Sequence, residues 1–363
     1  RGGVFVRRTA LVAEEDLQLM LCAARVVLYV SKGSLSQQLR SVVALSTRRG
    51  RTNVARPTRP WVPTLRLPRP AGPPHPEPAP NERLAYFNGL GGFVPETGEY
   101  VMQISRDQKP PQPWCNVMAG PHFGTVISES GASFTWFENS QKYRLTPWFN
   151  DPTTDKAGEL FFVRDMGTGE HWSLTPGPSP GDAVYAVRHG QGCTSFSHVR
   201  DGLSQVLRVG VDPADPVKIW HVSLHNQGGQ RRSVRVYAYV EWVLGNHRET
   251  LRTSTITSYR PGACLARNPF SPFPTARAFL VSTAQVRSFT ADRDEFFGRF
   301  ASRGLPSALL RPGLLGSSGH GFDPCSAMEV ELTLEPGEQI SLAFVLGAAA
   351  EEKQALELIA RYS

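Results

Sequence analysis

The amino-acid sequence predicts a mostly β protein, folded as a large antiparallel β-sandwich with a short N-terminal helix and a C-terminal linker helix. Between Leu84 and Gly347, apolar and polar residues alternate with a period of two, which is typical of strands with one buried face. Turn residues recur roughly every ten positions in this region, and helical periodicity is nearly absent. Because about 260 residues are more than an ordinary β-sandwich contains, we expect an extended β-sandwich, a supersandwich.

Two segments precede the predicted sandwich. Residues 1–40 are predicted to hold a strand and a helix, the helix running over residues 14–30 after an acidic first turn that suits a helix N-terminus. Its apolar face consists of Leu17, Leu21, Ala24 and Leu28. Residues 41–83 are rich in Arg and Pro, and Pro lacks the backbone donor that a helix or central strand needs. This second segment is therefore predicted to be a linker.

The positive charge of the chain is concentrated before the sandwich. The whole chain of 363 residues has a net charge of +7, whereas residues 1–80 hold thirteen Lys and Arg against four acidic residues, a net charge of +9. The remaining residues therefore carry −2, which is nearly neutral. A basic arm could contact phosphates, but a solvated linker is the simpler interpretation, and we expect no nucleic-acid partner.

The segment 84–348 is predicted to form the sandwich, and two pairs of strands stand out in it. In the first pair, Trp220, Val222 and Leu224 alternate with polar residues, a Gly-rich turn follows, and residues 234–242 alternate again. In the second pair, residues 330–334 and 340–346 flank a Pro-Gly turn. Each pair is predicted to be an antiparallel hairpin.

The end of the chain and its cysteines complete the outline. Residues 349–363 return to helical spacing and are predicted to begin a helical linker. The five cysteines are odd in number and contain no C-x-x-C pair, so we expect neither a zinc site nor a redox site, and a reducing, cytoplasmic compartment. The apolar run from Leu17 to Val30 is too short to span a bilayer, so no membrane segment is predicted here. Attachment of a longer parent to the inner membrane through upstream segments stays open.

The most unusual composition lies in residues 136–152, where aromatic side chains mix with amides and Arg. Sugars offer apolar faces that pack on aromatic rings and hydroxyl groups that need donors and acceptors, so this cluster is a candidate saccharide contact. The alternative is that the tryptophans belong to the core and the amides tie a long loop. The candidate substrate-binding residues in this cluster are Trp136, Asn139, Arg144, Trp148, Asn150 and Asp151.

Three other patterns suggest an anion site, a pair of catalytic acids and a zinc site. Arg188 and His189 precede Gly-Gln-Gly and could bind an anion, so both are added to the candidate substrate-binding residues. A pair of acids for glycoside chemistry could be drawn from Asp151, Asp155 and Glu159, although turn or loop roles suit each of them better. His221 and His225 are four apart on a strand, roughly 13 Å by the rise per residue, which is too far for one zinc ion. No catalytic residue and no metal site is predicted.

Several segments, in this order and spacing, resemble a family of glycoside phosphorylases. They are Phe87–Phe93, Pro113–Val117, Phe123–Gly124, Ser128–Gly131, Trp136–Pro152, Arg188–Gly192, Pro216–Ile219, Tyr239–Gly245, Ala266–Pro269, Phe322–Cys325 and Leu358–Tyr362. The chain resembles glycoside hydrolase family 94, which contains cellobiose phosphorylase and the C-terminal region of cyclic β-1,2-glucan synthase, and is most similar to the latter branch. The resemblance covers about residues 84–363. Cys115, Gly120 and Cys193 depart from the family pattern.

The resemblance implies an N-terminal β-sandwich domain of a longer parent protein, whose catalytic residues lie in another domain. In the family, the general-acid Asp and the phosphate site belong to an (α/α)6 barrel that follows the sandwich and a helical linker. Inorganic phosphate would be the co-substrate, attacking with inversion, and no other cofactor is implied. The implied partners are β-glucan oligosaccharides, the (α/α)6 catalytic domain and, in a homodimer, a second copy of the chain.

Two functions from different classes follow from these patterns. The first is a structural and substrate-lining domain of a β-glucoside phosphorylase or cyclic β-1,2-glucan synthase-like protein, which as this fragment catalyses nothing. The second is a free-standing carbohydrate-binding module. An exposed apolar face, left where a barrel should dock, would favour the first.

Overall fold

The computed structural model describes residues 12–13, 16–18, 20, 33–38, 84–149, 156–298 and 302–363. The chain divides into two compact units, Arg1–Arg69 and Pro70–Ser363. In the first unit, residues 16–18 and 20 are helical, within the predicted helix 14–30, and residues 35–38 form a further helical turn. Most of that predicted helix and the whole predicted linker, 41–83, lie outside the described residues.

The second unit is built mainly of strands. They are β1 (Gly91–Phe93), β2 (Tyr100–Ile104), β3 (Cys115–Ala119), β4 (Phe123–Ser128), β5 (Ser133–Phe137), β6 (Glu159–Asp165), β7 (His171–Ser173), β8 (Tyr185–Gly190), β9 (Cys193–Arg200), β10 (Leu203–Val211), β11 (Val217–Asn226), β12 (Arg232–Glu241), β13 (Ile256–Arg260), β14 (Ala263–Arg267), β15 (Arg277–Ser282), β16 (Ser288–Asp292), β17 (Pro324–Leu334) and β18 (Gln339–Ala349). The helices are α1 (Arg248–Leu251), α2 (Arg293–Phe297) and α3 (Glu352–Tyr362), and 3-10 turns span Arg252–Ser254 and Ser307–Leu310.

The strands form three antiparallel sheets. The largest has the order β1-β2-β8-β9-β10-β11-β18-β15-β14-β13, the second β16-β17-β12-β6-β7, and the third β3-β4-β5. The predicted fold class, a mostly β chain with large antiparallel sheets, is confirmed. The predicted linker helix corresponds to α3, which starts three residues after the last strand ends.

One main core joins all three sheets. Trp220, Val222 and Leu224 of β11 are at most 1% exposed, as their alternation predicts, whereas His221 is exposed. The ring of Phe161 on β6 meets Trp220 at 5.1 Å between centroids, which packs the five-stranded sheet on the ten-stranded one. Burial of these large side chains supplies most of the driving force for the fold.

Parts of the outer faces of both large sheets are covered as well. On the five-stranded sheet, Tyr237 and Tyr239 pack beneath α2 and the turn Ser307–Leu310. On the ten-stranded sheet, Ala355 and Leu358 of α3 pack against β11, β15 and β18. Covered outer faces explain why β12 is buried along nearly its whole length.

Both predicted hairpins are wrong, although all four strands are present. β11 pairs with β10 and β18 in the ten-stranded sheet, while β12 pairs with β17 and β6 in the five-stranded sheet. β17 and β18 are likewise divided between the two sheets. Each turn therefore carries the chain across the sandwich, because both edges of each strand are already occupied by other neighbours.

The two crossing turns are held together by one buried side chain. The Asn226 Nδ2 donates to the carbonyl oxygens of Gln230, Leu334 and Glu335, at 2.8, 3.2 and 3.2 Å. The backbone of Asn226 also exchanges hydrogen bonds with Glu338 and Gly337. The bond to Leu334 satisfies a buried carbonyl group that would otherwise lack a partner.

Within the described part of the chain, no helix combines the length and apolar character needed to cross a membrane. The four described cysteines, Cys115, Cys193, Cys264 and Cys325, are free, and the first two are exposed.

Candidate functional site

The three-stranded sheet presents aromatic side chains on its outer face. Strand alternation turns Phe134 and Trp136 of β5 outward, whereas Thr135 between them points inward and is fully buried. The Trp136 indole covers Gly124, where an added Cβ would lie 2.2 Å from Trp136 Cζ2. Only glycine at this position on β4 lets the ring lie so close to the sheet.

Trp148 and Arg144 complete this surface. Trp148 stacks on Phe134 with 5.0 Å between ring centroids and 9° between planes, and it is 50% exposed. The Arg144 guanidinium lies 5.6 Å from the Trp148 ring, and the backbone of Arg144 bridges to Trp136. Phe134, Trp136, Arg144 and Trp148 are called the aromatic face below.

The Arg144 side chain makes one hydrogen bond to the residues that the structure describes. Its Nε donates to the Ser140 carbonyl at 3.0 Å, and partial burial lowers the pKa of the guanidinium from its ordinary value. Among the residues that the structure describes, no carboxylate forms an ion pair with Arg144. A planar fork of N–H donors beside stacked rings can serve hydroxyl groups or an anion.

The other candidates from the aromatic–amide cluster are placed differently. Asn139 is exposed, and its Oδ1 accepts the backbone N–H groups of Gln141 and Lys142 at 3.0 and 2.8 Å. This is the loop-tying role that the sequence left as the alternative. Asn150 and Asp151 lie outside the described residues.

Arg188 and His189 lie on β8 of the ten-stranded sheet, and His189 contacts the segment before β3, at the opposite end of the three-stranded sheet. His189 contacts Thr194 Oγ1 through Nδ1 at 3.0 Å and the Trp114 carbonyl through Nε2 at 3.2 Å. Burial lowers its pKa to about 4, so the ring is neutral and Nε2 donates to the carbonyl. Arg188 forms an ion pair with Glu99 at 3.3 Å.

These contacts attach the start of β3 to the β8–β9 turn. Asn116 Nδ2 adds hydrogen bonds to the Gly190 and Cys193 carbonyl oxygens at 2.9 and 3.2 Å and to Thr194 Oγ1 at 3.0 Å. The contacts around His189, Asn116 and Trp114 are called the clamp below. Trp136 aligns, through Gly124, with Ala119 at the far end of β3, about 16 Å from Trp114 by strand rise. The six described candidates therefore do not form one site.

Of the three acids considered for glycoside chemistry, only Glu159 lies among the described residues. It is the first residue of β6 and is 3% exposed, so the expectation of a loop role is wrong for this residue. Its carboxylate forms an ion pair with Lys218 at 2.6 Å. Burial opposes ionisation, but Lys218 and nearby hydroxyl donors outweigh it and hold the pKa of Glu159 below its ordinary value.

Sequence reasoning missed Lys218, although the signal was present. Lys218 precedes Trp220, Val222 and Leu224 with the same parity, so the alternation that buries those residues buries Lys218 too. A lysine on a core face needs a buried acidic partner. Strand parity alone therefore predicts that Lys218 is buried and has an acidic partner.

A cleft of about 400 Å³ lies between α3 and the turns that follow β3 and β10. Its acids are already engaged: Asp212 and Asp215 accept from the Tyr362 hydroxyl at 3.1 and 2.9 Å, and Asp215 pairs with Arg361 at 2.5 Å. Backbone donors, led by the N–H of Asp215, lower the pKa of Asp212. These bonds anchor α3 to the sandwich. No group of His, Cys, Asp or Glu within the described ranges could hold a metal ion.

Comparison with known proteins agrees with this architecture. Residues 98–363 match the family model described as "Glycosyl hydrolase 94, supersandwich domain". Cyclic beta-(1,2)-glucan synthase NdvB of Rhizobium meliloti (strain 1021) is 35% identical over 278 residues, which cover 75% of this chain and 10% of that protein. N,N'-diacetylchitobiose phosphorylase of Vibrio proteolyticus is 28% identical over 272 residues, covering 71% of this chain and 33% of the relative.

Among solved structures, a bacterial glucoamylase complexed with acarbose superposes with a TM-score of 0.42 at 9% identity, covering 72% of this chain and 37% of the other.

The chain spans between a tenth and a third of the length of the two curated relatives described above. Since the family model covers most of the chain, and the sheets are those of a large antiparallel sandwich, the chain belongs to the glycosyl hydrolase 94 supersandwich domain family.

Proposed function

We propose that this chain is the structural and substrate-lining domain of a β-glucoside phosphorylase or cyclic β-1,2-glucan synthase-like protein, and that its aromatic face contacts β-glucan oligosaccharides. The observation that carries the proposal is the aromatic face itself. Trp148 is half exposed although it is held by stacking on Phe134, and Arg144 lies over it without a carboxylate partner among the described residues. A fixed, open ring beside a planar set of N–H donors is what a pyranose requires.

The names of the relatives support the substrate class. One is a cyclic β-1,2-glucan synthase, and others phosphorolyse N,N'-diacetylchitobiose and solabiose. All three names describe enzymes that make or cleave glycosidic bonds. We therefore assign oligosaccharides, rather than proteins or nucleic acids, to the aromatic face.

Catalysis is assigned to another part of a longer parent protein. Glycoside chemistry needs a carboxylic acid at the scissile bond, and the described candidate, Glu159, is buried and paired with Lys218. We propose that an (α/α)6 domain supplies the general acid and binds inorganic phosphate, and that the supersandwich packs against it. In this proposal the present chain binds the saccharide without turning it over.

Calorimetric titration of the chain with β-1,2-linked glucooligosaccharides, in the presence of phosphate, tests the proposal. We expect binding that falls at least tenfold in Trp148→Ala and in Trp136→Ala. Phe87→Ala is the matched control, since Phe87 is 62% exposed but belongs to the segment before β1. Its affinity should equal that of the wild type.

The same samples are assayed for glucose 1-phosphate. Release of this product by the chain alone would overturn the assignment of catalysis to another domain. Absence of binding, or equal losses in Phe87→Ala and Trp148→Ala, would remove the aromatic face as the contact and leave a scaffold role.

A further inference from the structure

A fully buried ion pair lies directly beneath the aromatic face. The side chains of Lys218 and Glu159 are 0% and 1% exposed, and Nζ lies 2.6 Å from Oε2. Lys218 belongs to β11 of the ten-stranded sheet, and Glu159 begins β6 of the five-stranded sheet. The pair therefore joins the two large sheets where the three-stranded sheet covers them.

Hydroxyl groups of the three-stranded sheet surround the pair. Lys218 Nζ donates to Thr125 Oγ1 at 2.8 Å and to Ser133 Oγ at 3.2 Å, and Ser133 Oγ donates to Glu159. Glu159 Oε1 accepts from Thr135 Oγ1 at 2.6 Å. Every proton of the ammonium group has an acceptor, so the charges are compensated without water.

A fourth hydroxyl extends the network to the segment that follows β5. Thr146 Oγ1 donates to Glu159 Oε1 at 2.6 Å and accepts the backbone N–H of Thr135 at 2.7 Å. Thr135 lies between Phe134 and Trp136, and Thr146 lies two residues before Trp148. The network thus holds the backbone on both sides of the stacked rings.

We propose that Lys218 and Glu159 are positioning residues for the aromatic face. The pair fixes the register of β5 and the path of residues 144–148, so that Trp148 stacks on Phe134 and Trp136 covers Gly124. A one-residue slip of β5 would turn Thr135 outward and bury the aromatic rings, and the directional hydrogen bonds oppose that slip. The saccharide part of this inference rests on the proposed function, whereas the positioning of the rings does not.

The alternative is that the pair only contributes to stability, and the physics of buried ion pairs separates the two roles. Removing one partner leaves an uncompensated buried charge, which destabilises a protein strongly. Replacing both partners with apolar residues of similar size is often neutral or stabilising. A doubly substituted variant can therefore keep the fold while it removes the hydrogen bonds to Thr135 and Thr146.

The experiment compares Lys218→Met, the double variant Lys218→Met/Glu159→Leu, and Arg232→Met. The last is the control, because it breaks a largely buried pair with Asp165 at the other end of β6. The readout without ligand is the part of the near-ultraviolet circular dichroism that Trp148→Ala removes. The second readout is the affinity for β-1,2-linked glucooligosaccharides.

We expect the double variant to unfold cooperatively at a midpoint near that of the wild type, to lose at least half of the Trp148 signal, and to bind at least tenfold more weakly. Lys218→Met and Arg232→Met should both lower the unfolding midpoint, but only the former should reduce the Trp148 signal. A double variant that retains the wild-type signal overturns the inference.

Thr146→Val keeps the test decisive if the double variant fails to fold. It leaves the ion pair intact and removes the hydroxyl that ties Thr146 to Glu159 and Thr135, so it should reduce the Trp148 signal. Because the buried Thr135 N–H then lacks its acceptor, the unfolding midpoint should also fall, but less than in Lys218→Met. A wild-type signal in Thr146→Val would contradict positioning. If the wild-type chain binds no saccharide, the proposed function fails, while the signal still decides the positioning role.

Discussion

The two ends of the three-stranded sheet use the same kinds of residue in opposite ways. At the clamp, the side chains of His189 and Asn116 form hydrogen bonds to neighbouring strands, and Trp114 is partly buried against Tyr100. At the aromatic face, Trp148 is half exposed and Arg144 makes no ion pair among the described residues. The chain itself supplies the partners of the clamp residues, whereas at the aromatic face the Trp148 ring is open and the described residues give Arg144 no ion-pair partner.

This difference separates residues that hold a site from residues that form one. An aromatic, histidine or amide side chain in a motif indicates only that the side chain contacts some partner. Whether the partner is the chain or a ligand depends on what lies within hydrogen-bond distance in the fold. The comparison therefore predicts that changes at the aromatic face alter binding and that changes at the clamp alter stability.

The largest effect is expected from Gly124→Ala at the aromatic face. The new Cβ would lie 2.2 Å from Trp136 Cζ2, so the indole must move away from the sheet. We expect an affinity loss of at least tenfold, measured by calorimetry, and a decrease of about 1–3 kcal/mol in the unfolding free energy.

Gly120→Ala is the matched control for this substitution. Gly120 lies in the β3–β4 turn, four residues before Gly124, and a Cβ there would meet no atom closer than 3.7 Å. The control should bind as the wild type does. If Gly124→Ala also binds as the wild type does, the position of Trp136 is irrelevant to the saccharide.

At the clamp, the expected effect is a change in the pH dependence of stability. Burial lowers the pKa of His189 to about 4 and that of His198 to about 3, from 6.5. Below pH 6.5 the unfolded chain therefore binds more protons than the folded chain, and the unfolding free energy falls as the pH drops toward 4. In His189→Gln this slope should decrease by up to about 1.4 kcal/mol per pH unit.

Urea unfolding between pH 7 and pH 4.5 measures the slope. His221→Gln serves as the control, since His221 is exposed on the outer face of β11. His189→Gln should bind saccharide with unchanged affinity at pH 7. A loss of affinity in this variant, at equal stability, would mean that the clamp also takes part in binding.

The fold shows what a single sequence can and cannot reveal. Period-two alternation located β11, β12, β17 and β18, because the inward side of each strand is set by local sequence. Their partners were not local: the turns after β11 and β17 cross between sheets instead of closing hairpins. Turn chemistry identifies a reversal of the chain, but the edges that are free to pair depend on strands far away in sequence.

The same limit applies to the site. Composition grouped Trp136, Arg144 and Trp148, and these residues are neighbours in the fold because they are close in sequence and the segment folds back on itself. It also grouped them with His189, which lies on β8 of the ten-stranded sheet and contacts the Trp114 carbonyl at the other end of the three-stranded sheet. The Lys218–Glu159 pair links residues 59 positions apart, and only strand parity hinted at it.

The smallest effect is expected at Asn139. This residue lies close in sequence to the aromatic face, but its side chain is bonded to the chain itself, as the clamp residues are. Its Oδ1 accepts two backbone N–H groups, so Asn139→Ala should cost about 0.5–1 kcal/mol of unfolding free energy and change saccharide affinity less than twofold. Asn139→Asp keeps the acceptor oxygen and should retain wild-type stability. An affinity loss of fivefold or more in Asn139→Ala, with Asn139→Asp equally impaired, would instead make the Asn139 amide a ligand contact, since the aspartate preserves the turn but not the N–H donors.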